Sequence, residues 1–89
     1  MFEWDEEKRT KNIAKHGIDF LTACELFDGR QVFTFSSNHS EEERFATVGL
    51  IEGRCITTIW TRRTKNIRII SARRARDEEK KQYSKLFSK

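Results

Sequence analysis

Two runs of β-branched residues constrain the fold of this chain more than any other feature. They are Cys55–Trp60 and Ile67–Ala72, and a charged segment, Arg62–Asn66, separates them. Because β-branched side chains favour strands and a short polar segment suits a turn, the pattern predicts two neighbouring strands. Both predicted strands run into arginines.

Strict alternation of side chains divides the second of these strands into two faces. One face would carry Ile67, Ile69, Ser71 and Arg73, and the other Arg68, Ile70, Ala72 and Arg74. Whichever face packs against the core, at least one arginine is then exposed. Guanidinium groups held on a sheet can bind pairs of phosphate oxygens, so the pattern indicates a polyanion site.

Basic residues are concentrated in this part of the chain. Residues 54–76 contain eight Lys or Arg and no Asp or Glu, whereas residues 1–53 contain six basic and eleven acidic residues. A segment that carries only positive charge attracts an acidic partner. Nucleic acid and an acidic protein both meet that requirement.

Length and composition predict one small domain, residues 1–89, of which 36% are hydrophobic. No apolar run approaches a membrane span and the N-terminus lacks a secretory pattern, so we expect a cytoplasmic protein without membrane contact. Cys24 and Cys55 have no paired spacing, which predicts free thiols rather than a disulfide or zinc site. No metal and no cofactor is expected.

Cap and turn residues predict the element order β-α-α-β-β-β-β-α. Helices are expected from Asp5 to Gly17, from Asp19 to Gly29 and beyond Ala75, and further strands at Val32–Phe35 and Arg44–Ile51, the latter followed by a hairpin turn at Glu52-Gly53. Phe2-Glu3-Trp4 fits either a first strand or the start of the first helix. Short connections favour an antiparallel meander, and the fold class is therefore α+β.

Apolar residues at helical spacing predict how the helices pack. The first helix would bury little beyond Trp4, Ile13 and Ala14, the second Phe20, Ala23, Cys24 and Phe27, and the last Tyr83, Leu86 and Phe87. We therefore expect two N-terminal helices on a mainly antiparallel sheet and a C-terminal helix docked by its apolar residues.

Two blocks of the sequence together form a familiar pattern. The first consists of Phe2-Glu3-Trp4-Asp5, Lys8, Asn12, Lys15-His16-Gly17-Ile18, Phe20, Ala23 and Phe27-Asp28. The second consists of Glu43-Arg44, Gly49, Arg68–Ala75, Glu79 and Tyr83. In this order and at this spacing, the blocks strongly resemble the BrnT family of toxins over nearly the whole chain.

The resemblance implies a RelE-like single-domain ribonuclease toxin of a type II toxin–antitoxin pair, which cuts RNA and halts translation. It also implies a ribbon-helix-helix antitoxin that is similar to BrnA. The complex would bind operator DNA only through this antitoxin. Family members often have Thr-Glu-Arg where this chain has Thr61-Arg62-Arg63. An acid that could assist proton transfer is thus replaced by Arg62.

Cleavage of RNA without a metal ion requires a base for the 2′-OH, positive charge against the phosphorane and an acid for the leaving oxygen. Together with the resemblance, this requirement gives six expected catalytic residues: His16, Arg44, Arg63, Arg73, Arg74 and Tyr83. The expected substrate-binding residues are Lys8, Lys15, Arg62 and Arg68. Only one of Arg73 and Arg74 is expected to be catalytic, because alternation directs them to opposite faces.

Most of these residues have a structural alternative. Histidine titrates near neutral pH, but His16 would serve equally well at the end of the first helix. The lysines could simply belong to a solvated helix surface, and the arginines could protect the sheet edge from pairing with another chain. Tyr83 could be a core residue or could stack on a base. Glu43 and Glu79 could act as general bases or could orient arginines. His39 lies in a polar connection and is expected to be solvated.

Two other functions fit the same basic residues. One is a non-catalytic module that binds nucleic acid, which is consistent with the acid missing at Arg62. The other is a structural partner whose basic surface receives an acidic antitoxin segment. Cleavage products distinguish the ribonuclease from both.

Overall fold

The fold is α+β, as expected, with three α-helices and a five-stranded sheet. The structure, a computed structural model, describes residues 1–37 and 41–87, so the prediction for His39 lies outside the described residues. The elements are β1 Phe2–Glu3, α1 Glu6–His16, α2 Phe20–Ala23, a 3₁₀ helix Cys24–Phe27, β2 Val32–Ser36, β3 Arg44–Ile51, β4 Arg54–Arg63, β5 Asn66–Arg74 and α3 Asp77–Phe87. This order confirms the predicted succession of helices and strands.

The sheet has the strand order β1-β5-β4-β3-β2. Strands β2 to β5 form the expected antiparallel meander. Strand β1 pairs with β5 in parallel, and the Ile67 N–H donates to the Met1 carbonyl over 2.8 Å. The N-terminal residues are therefore a strand and not the first turn of α1.

Two tight turns set the register of the longest strands. Glu52 and Gly53 have φ angles of 50° and 77°, so both central residues adopt the left-handed conformation that suits a two-residue hairpin. The turn predicted at Arg62–Asn66 is too long, because Arg63 pairs with Asn66 across a turn of only two residues. Charged side chains at a strand end remain in water while their backbone groups pair, so β4 extends to Arg63.

Helix α1 begins and ends where its caps predict. The Asp5 carboxylate accepts hydrogen bonds from the N–H groups of Glu7 and Lys8 over 2.8 and 3.2 Å. Gly17 has a φ of 69° and donates its N–H to the Ile13 carbonyl over 2.8 Å. Both contacts satisfy backbone groups that a helix end otherwise leaves unpaired.

Burial on α1 differs from the prediction. Its only buried residue is Asn12, whereas Ile13 is 42% exposed and Ala14 is exposed. The Asn12 amide donates to the carbonyls of Ile18 and Ala72, each over 2.9 Å, and accepts from the Ala72 N–H over 3.1 Å. A polar side chain is buried here because all of these hydrogen bonds are made to main-chain groups that would otherwise lack partners.

The predicted apolar stripe of the second helix is only partly correct. Phe20 and Ala23 are fully buried, but Leu26, and not Phe27, completes the set at 1% exposure. The cause is the change from α2 to a 3₁₀ helix after Ala23, which alters the angle between successive side chains. Cys24 and Phe27 are consequently half-buried.

The hydrophobic core lies on one face of the sheet, here called the helix-packed face. It consists of Ile18, Phe20, Ala23 and Leu26 from the N-terminal segment and Ile51, Ile56, Trp60, Ile69 and Ala72 from the sheet. The two cysteines are free, as predicted, and both are half-buried. Among the described residues, the helices are too short and too polar to cross a membrane.

Helix α3 lies against the opposite face, here called the open face. Its described residues include no buried side chain, and Leu86 is 52% exposed, so the expected docking through Leu86 is wrong. Tyr83 and Phe87 contact each other, with ring centroids 4.8 Å apart. Polar contacts replace apolar burial: Thr57 donates to Glu79 over 2.9 Å, and Tyr83 donates to the Gln31 carbonyl over 3.2 Å.

Candidate active site

A hollow of about 260 Å³ lies on the open face beside the first turn of α3. We call it the arginine hollow; its lining residues are Phe35, Ser37, Arg44, Ala46, Ile59, Ile70, Ser71, Arg73, Arg76 and Glu79. Three arginines and one carboxylate line it, so the described lining is positively charged. Its volume is below the several hundred Å³ typical of sites that enclose a whole ligand, which suits a short part of an extended molecule.

The floor of the hollow is a row of side chains from three adjacent strands. Ala46 pairs with Ile59, and Ile59 pairs with Ser71. Ala46 and Ser71 are small, so the floor is low at both ends of the row. The larger arginine side chains therefore form walls around it.

An irregularity in β5 brings Ser71 to this face. Ile59 pairs with Ser71 and Trp60 pairs with Ile69, which leaves Ile70 as an extra residue in β5. Ile70 and Ser71 then both line the hollow, whereas Ile69 and Ala72 are both in the core. The strict alternation predicted for this strand is wrong here, because a bulge shifts every later side chain by one position.

Arg73 is held in place by Glu79. Its Nη1 and Nη2 donate to the two carboxylate oxygens over 2.8 and 3.0 Å, and its side chain is 19% exposed. Two parallel hydrogen bonds fix the plane of a guanidinium group, and the pair stays charge-assisted as long as the carboxylate is ionised. Arg73 therefore lines the hollow as an oriented group.

Glu79 joins β4, β5 and α3. One carboxylate oxygen accepts from the Arg76 N–H over 2.8 Å and from the Thr57 hydroxyl over 2.9 Å, in addition to Arg73. Burial raises the pKa of Glu79, but these hydrogen bonds outweigh burial and lower the pKa to about 2. Of the two roles expected for Glu79, the geometry fits an arginine orienter, since a carboxylate with so low a pKa is a poor base.

Arg44 lies on β3, two residues before Ala46 of the floor row. Its side chain is 29% exposed, and its Nε is 3.6 Å from a carboxylate oxygen of Glu42. That distance is too long for a hydrogen bond, and Nε is a buried donor without a hydrogen-bond partner in the described part of the chain. Arg44 is therefore paired electrostatically with Glu42, but among the described residues no hydrogen bond from Nε fixes its guanidinium group.

Two further arginines on this side of the sheet are paired with the protein's own carboxylates. Arg63 donates to Glu42 over 3.2 Å, and Arg68 donates to Glu3 over 2.8 Å. Neither lines the hollow. Arg63 is close to it through Glu42, which also pairs with Arg44, whereas Arg68 connects β5 to β1.

Arg62 and Arg74 lie apart from the hollow. The Arg62 guanidinium stands 5.7 Å from the centre of the Trp60 ring, on the side of the core. Arg74 is exposed and lines a separate groove with Cys55 and Lys80. Of the adjacent pair, the structure brings Arg73 to the hollow and directs Arg74 elsewhere.

The remaining candidates are also separated from the hollow. Lys8, Lys15 and His16 belong to α1, which packs on the opposite face of the sheet through Asn12. Tyr83 lines the groove that contains Arg74, with its hydroxyl bound to the Gln31 carbonyl. The structure thus does not place these four side chains with Arg44 and Arg73.

Seven lining residues were not among the sequence candidates: Phe35, Ser37, Ala46, Ile59, Ile70, Ser71 and Arg76. Arg76 had a signal, because it ends the acid-free segment. Ile70 and Ser71 lie in the block that resembles the family, whereas Phe35 had no signal that separated it from an ordinary strand residue. Within the described residues, no three His, Cys, Asp or Glu side chains cluster as a metal site would need.

Comparison with known families identifies the family of this chain. The family described as "Ribonuclease toxin, BrnT, of type II toxin-antitoxin system" matches residues 4–79. The chain belongs to the BrnT family. Its membership makes it a ribonuclease toxin of a type II system, with RNA as the substrate class and an antitoxin as the partner. The matched range includes every arginine of the hollow and ends at Glu79. No curated protein sequence matches the chain.

Proposed function

We propose that this BrnT toxin cleaves RNA in the arginine hollow, without a metal ion, by attack of a ribose 2′-OH on the adjacent phosphate. The observation that carries the proposal is that Arg44, Arg73 and Arg76 line one hollow, whose floor is formed by Ala46, Ile59 and Ser71. A phosphodiester in this hollow would be approached by these guanidinium groups.

The proposed reaction is an in-line transfer. The 2′-oxygen forms a bond to phosphorus while the bond from phosphorus to the 5′-oxygen breaks, which gives a 2′,3′-cyclic phosphate and a free 5′-OH. The 2′-OH proton passes to hydroxide or water, and water protonates the leaving 5′-oxygen. No other reactant is consumed.

Stabilisation of charge is the main contribution expected of the protein. The phosphorane carries more negative charge than the ground-state phosphate, and preoriented donors stabilise such charge most effectively. Arg73 is preoriented by Glu79, whereas, among the described residues, Arg44 is held only by its ion pair with Glu42. Glu79 acts here as a positioning residue, since it contacts Arg73 rather than the reacting atoms.

Proton transfer is assigned to solvent because the described lining offers little else. Its ionisable side chains are the three arginines and Glu79, whose pKa of about 2 makes it a weak base. The replacement of a family acid by Arg62 is consistent with this assignment. A rate that increases with pH, without the maximum that a histidine base and acid would produce, is the expected behaviour.

The finer features of the system are part of the same proposal. The antitoxin is a ribbon-helix-helix protein similar to BrnA, operator DNA is bound only through it, and the toxin is a RelE-like cytoplasmic domain. The acid-free segment 54–76 supports a partner that contributes acidic residues. Co-expression with the gene adjacent to the toxin gene should abolish growth arrest.

Incubation of the purified protein with RNA in excess EDTA tests the reaction. We expect fragments that end in a 2′,3′-cyclic phosphate and begin with a 5′-OH. RNA that stays intact both free and on ribosomes, or cleavage only after Mg²⁺ is added, would contradict the proposal. Mapping of the 5′ ends then gives the base preference.

A non-catalytic RNA-binding module is the second candidate, and the Arg73–Glu79 pair favours it, because that carboxylate partly neutralises the wall. Binding by phosphate contacts alone would weaken steeply with salt. Salt-sensitive binding without products after long incubation would favour this candidate over the ribonuclease.

A further inference from the structure

Two phenylalanines on β2 form an exposed aromatic surface beside the arginine hollow. Phe35 is 40% exposed and lines the hollow. The Phe33 ring lies 6.0 Å from it at an interplanar angle of 25°, so the two rings are stacked. Phe33 is half-buried within this surface, whereas an exposed ring such as Phe35 next to a charged site indicates a ligand with a flat apolar face.

A second groove begins where the arginine hollow ends. Phe33, Phe35, Glu78, Glu79 and Gln82 line it, so Phe35 and Glu79 border both depressions. The groove contains two carboxylates and no basic side chain among these residues. Like charges repel, so this groove excludes a phosphate while the hollow attracts one.

The charge pattern and the rings fit the two parts of one nucleotide. Single-stranded RNA is commonly recognised by stacking its bases on aromatic side chains while basic groups contact the phosphates. A phosphate in the hollow places a neighbouring base within reach of Phe35, because that ring borders the hollow. The polar ends of Glu78 and Gln82 then border the space beside the stacked base.

We propose that Phe35, supported by Phe33, is the stacking platform for the nucleobase next to the cleaved phosphate. Glu78 and Gln82 contact the hydrogen-bonding edge of that base. An ionised carboxylate only accepts hydrogen bonds, so Glu78 favours guanine, whose ring N–H and amino group donate side by side, over uracil, whose single ring N–H lies between two carbonyl acceptors. This subsite rests on the proposed function, because the hollow must bind the phosphate.

The test measures binding separately from cleavage. The probe is a short single-stranded RNA that is 2′-O-methylated throughout, so that no 2′-OH can attack, with the fluorescent base 2-aminopurine placed at each position in turn. We expect one position at which the protein quenches the fluorescence strongly. Phe35→Leu keeps an apolar side chain without an aromatic face, and it should remove the quenching and weaken binding roughly 5- to 100-fold.

Two variants control for effects on folding. Phe35→Trp keeps an aromatic face and should retain binding within about threefold of the unsubstituted protein, because any π-face can stack on a base. Phe2→Leu changes a phenylalanine of similar exposure, 37%, on β1, outside both depressions. It should leave both quenching and binding unchanged.

A parallel assay with unmodified RNA separates this subsite from the reaction. If the protein cleaves RNA and Phe35→Leu leaves quenching and KM unchanged, the stacking platform is overturned while the ribonuclease stands. If the protein cleaves no RNA but quenching depends on Phe35, the ribonuclease fails and the base subsite stands. Equal losses in Phe35→Leu and Phe2→Leu would overturn the subsite in either case.

The base preference gives a second readout. Replacing guanine by uracil at the quenched position should weaken binding to the unsubstituted protein. Glu78→Gln, whose amide can both donate and accept, should remove most of that difference. Tighter binding of uracil than of guanine would overturn the assignment of Glu78.

Discussion

The two faces of the sheet are built from the same strands and serve different purposes. The helix-packed face buries Phe20, Leu26 and Ile69 at 0–1% exposure. The open face is covered by α3, which contributes no buried side chain among its described residues, and it holds Arg73 through hydrogen bonds. Stability therefore comes mainly from the first face, while the second remains free to hold charge.

The comparison teaches that adjacent residues can belong to different functions. Ala72 is fully buried in the core, and Arg73 lines the hollow. In the same way Ile56 packs in the core, whereas Thr57 donates to Glu79. Because side chains alternate across a sheet, one strand supplies both faces, and a substitution on one face should leave the other largely intact.

The largest expected effect is on the open face. Arg44→Ala and Arg73→Ala should each lower the rate of RNA cleavage roughly 10²- to 10³-fold, because each removes a donor to the phosphorane. The measurement is single-turnover cleavage of a labelled RNA. Arg73→Lys should recover only part of the rate, since lysine lacks the planar fork. Rates within threefold of the unsubstituted protein for both alanine variants would contradict the assignment.

The hydrogen bonds of Glu79 on the open face should make stability depend on pH. The pKa of Glu79 is lowered from the ordinary value of 4.5 to about 2 in the folded protein. Its contribution is therefore complete above pH 4.5 and is lost as the pH falls towards 2, with an upper limit of roughly 3 kcal/mol.

Urea unfolding between pH 7 and pH 2 measures this contribution. Glu79→Gln should lose most of the change in unfolding free energy between pH 4.5 and 2, because the titrating group is gone. Glu78→Gln is the matched control, since Glu78 is the exposed neighbour on α3. An equal acid dependence in the unsubstituted protein and in Glu79→Gln would show that another carboxylate is responsible.

A smaller effect is expected from the helix-packed face. Asn12→Ala should lower the free energy of unfolding by about 2–3 kcal/mol, because it leaves the Ile18 carbonyl and both main-chain groups of Ala72 without partners. Chemical denaturation is the measurement. Lys11→Ala, at an exposed neighbouring position, should change stability by less than about 0.5 kcal/mol.

The smallest expected effects on cleavage come from substitutions of side chains that lie outside the hollow. His16→Gln, Arg62→Ala and Arg74→Ala should each change the single-turnover rate less than about threefold, because none of these side chains lines the hollow. Loss of cleavage in His16→Gln without loss of folding would show that the sequence-based assignment of His16 was right and that the site extends beyond the hollow.

Much of the fold could be predicted because its signals are local. Asp5, Gly17 and Asp19 cap helices within a few residues of themselves, and Glu52-Gly53 forms its turn from its own backbone preferences. Family resemblance extended this local information to the function. Prediction failed where a distant element decided the outcome, as for Asn12, whose partner Ala72 is 60 residues away.

The sequence by itself determined that this protein is an α+β domain of the BrnT family with a basic second half. Only the tertiary structure decided which arginines meet, because one extra residue in β5 reverses the alternation on which a face assignment depends. Strand pairing placed Arg44 and Arg73 on the same face of the sheet, on strands that β4 separates, and α3 supplied Glu79 to orient Arg73. The strand pairing joins residues far apart in the chain, and no local pattern of side chains specifies it.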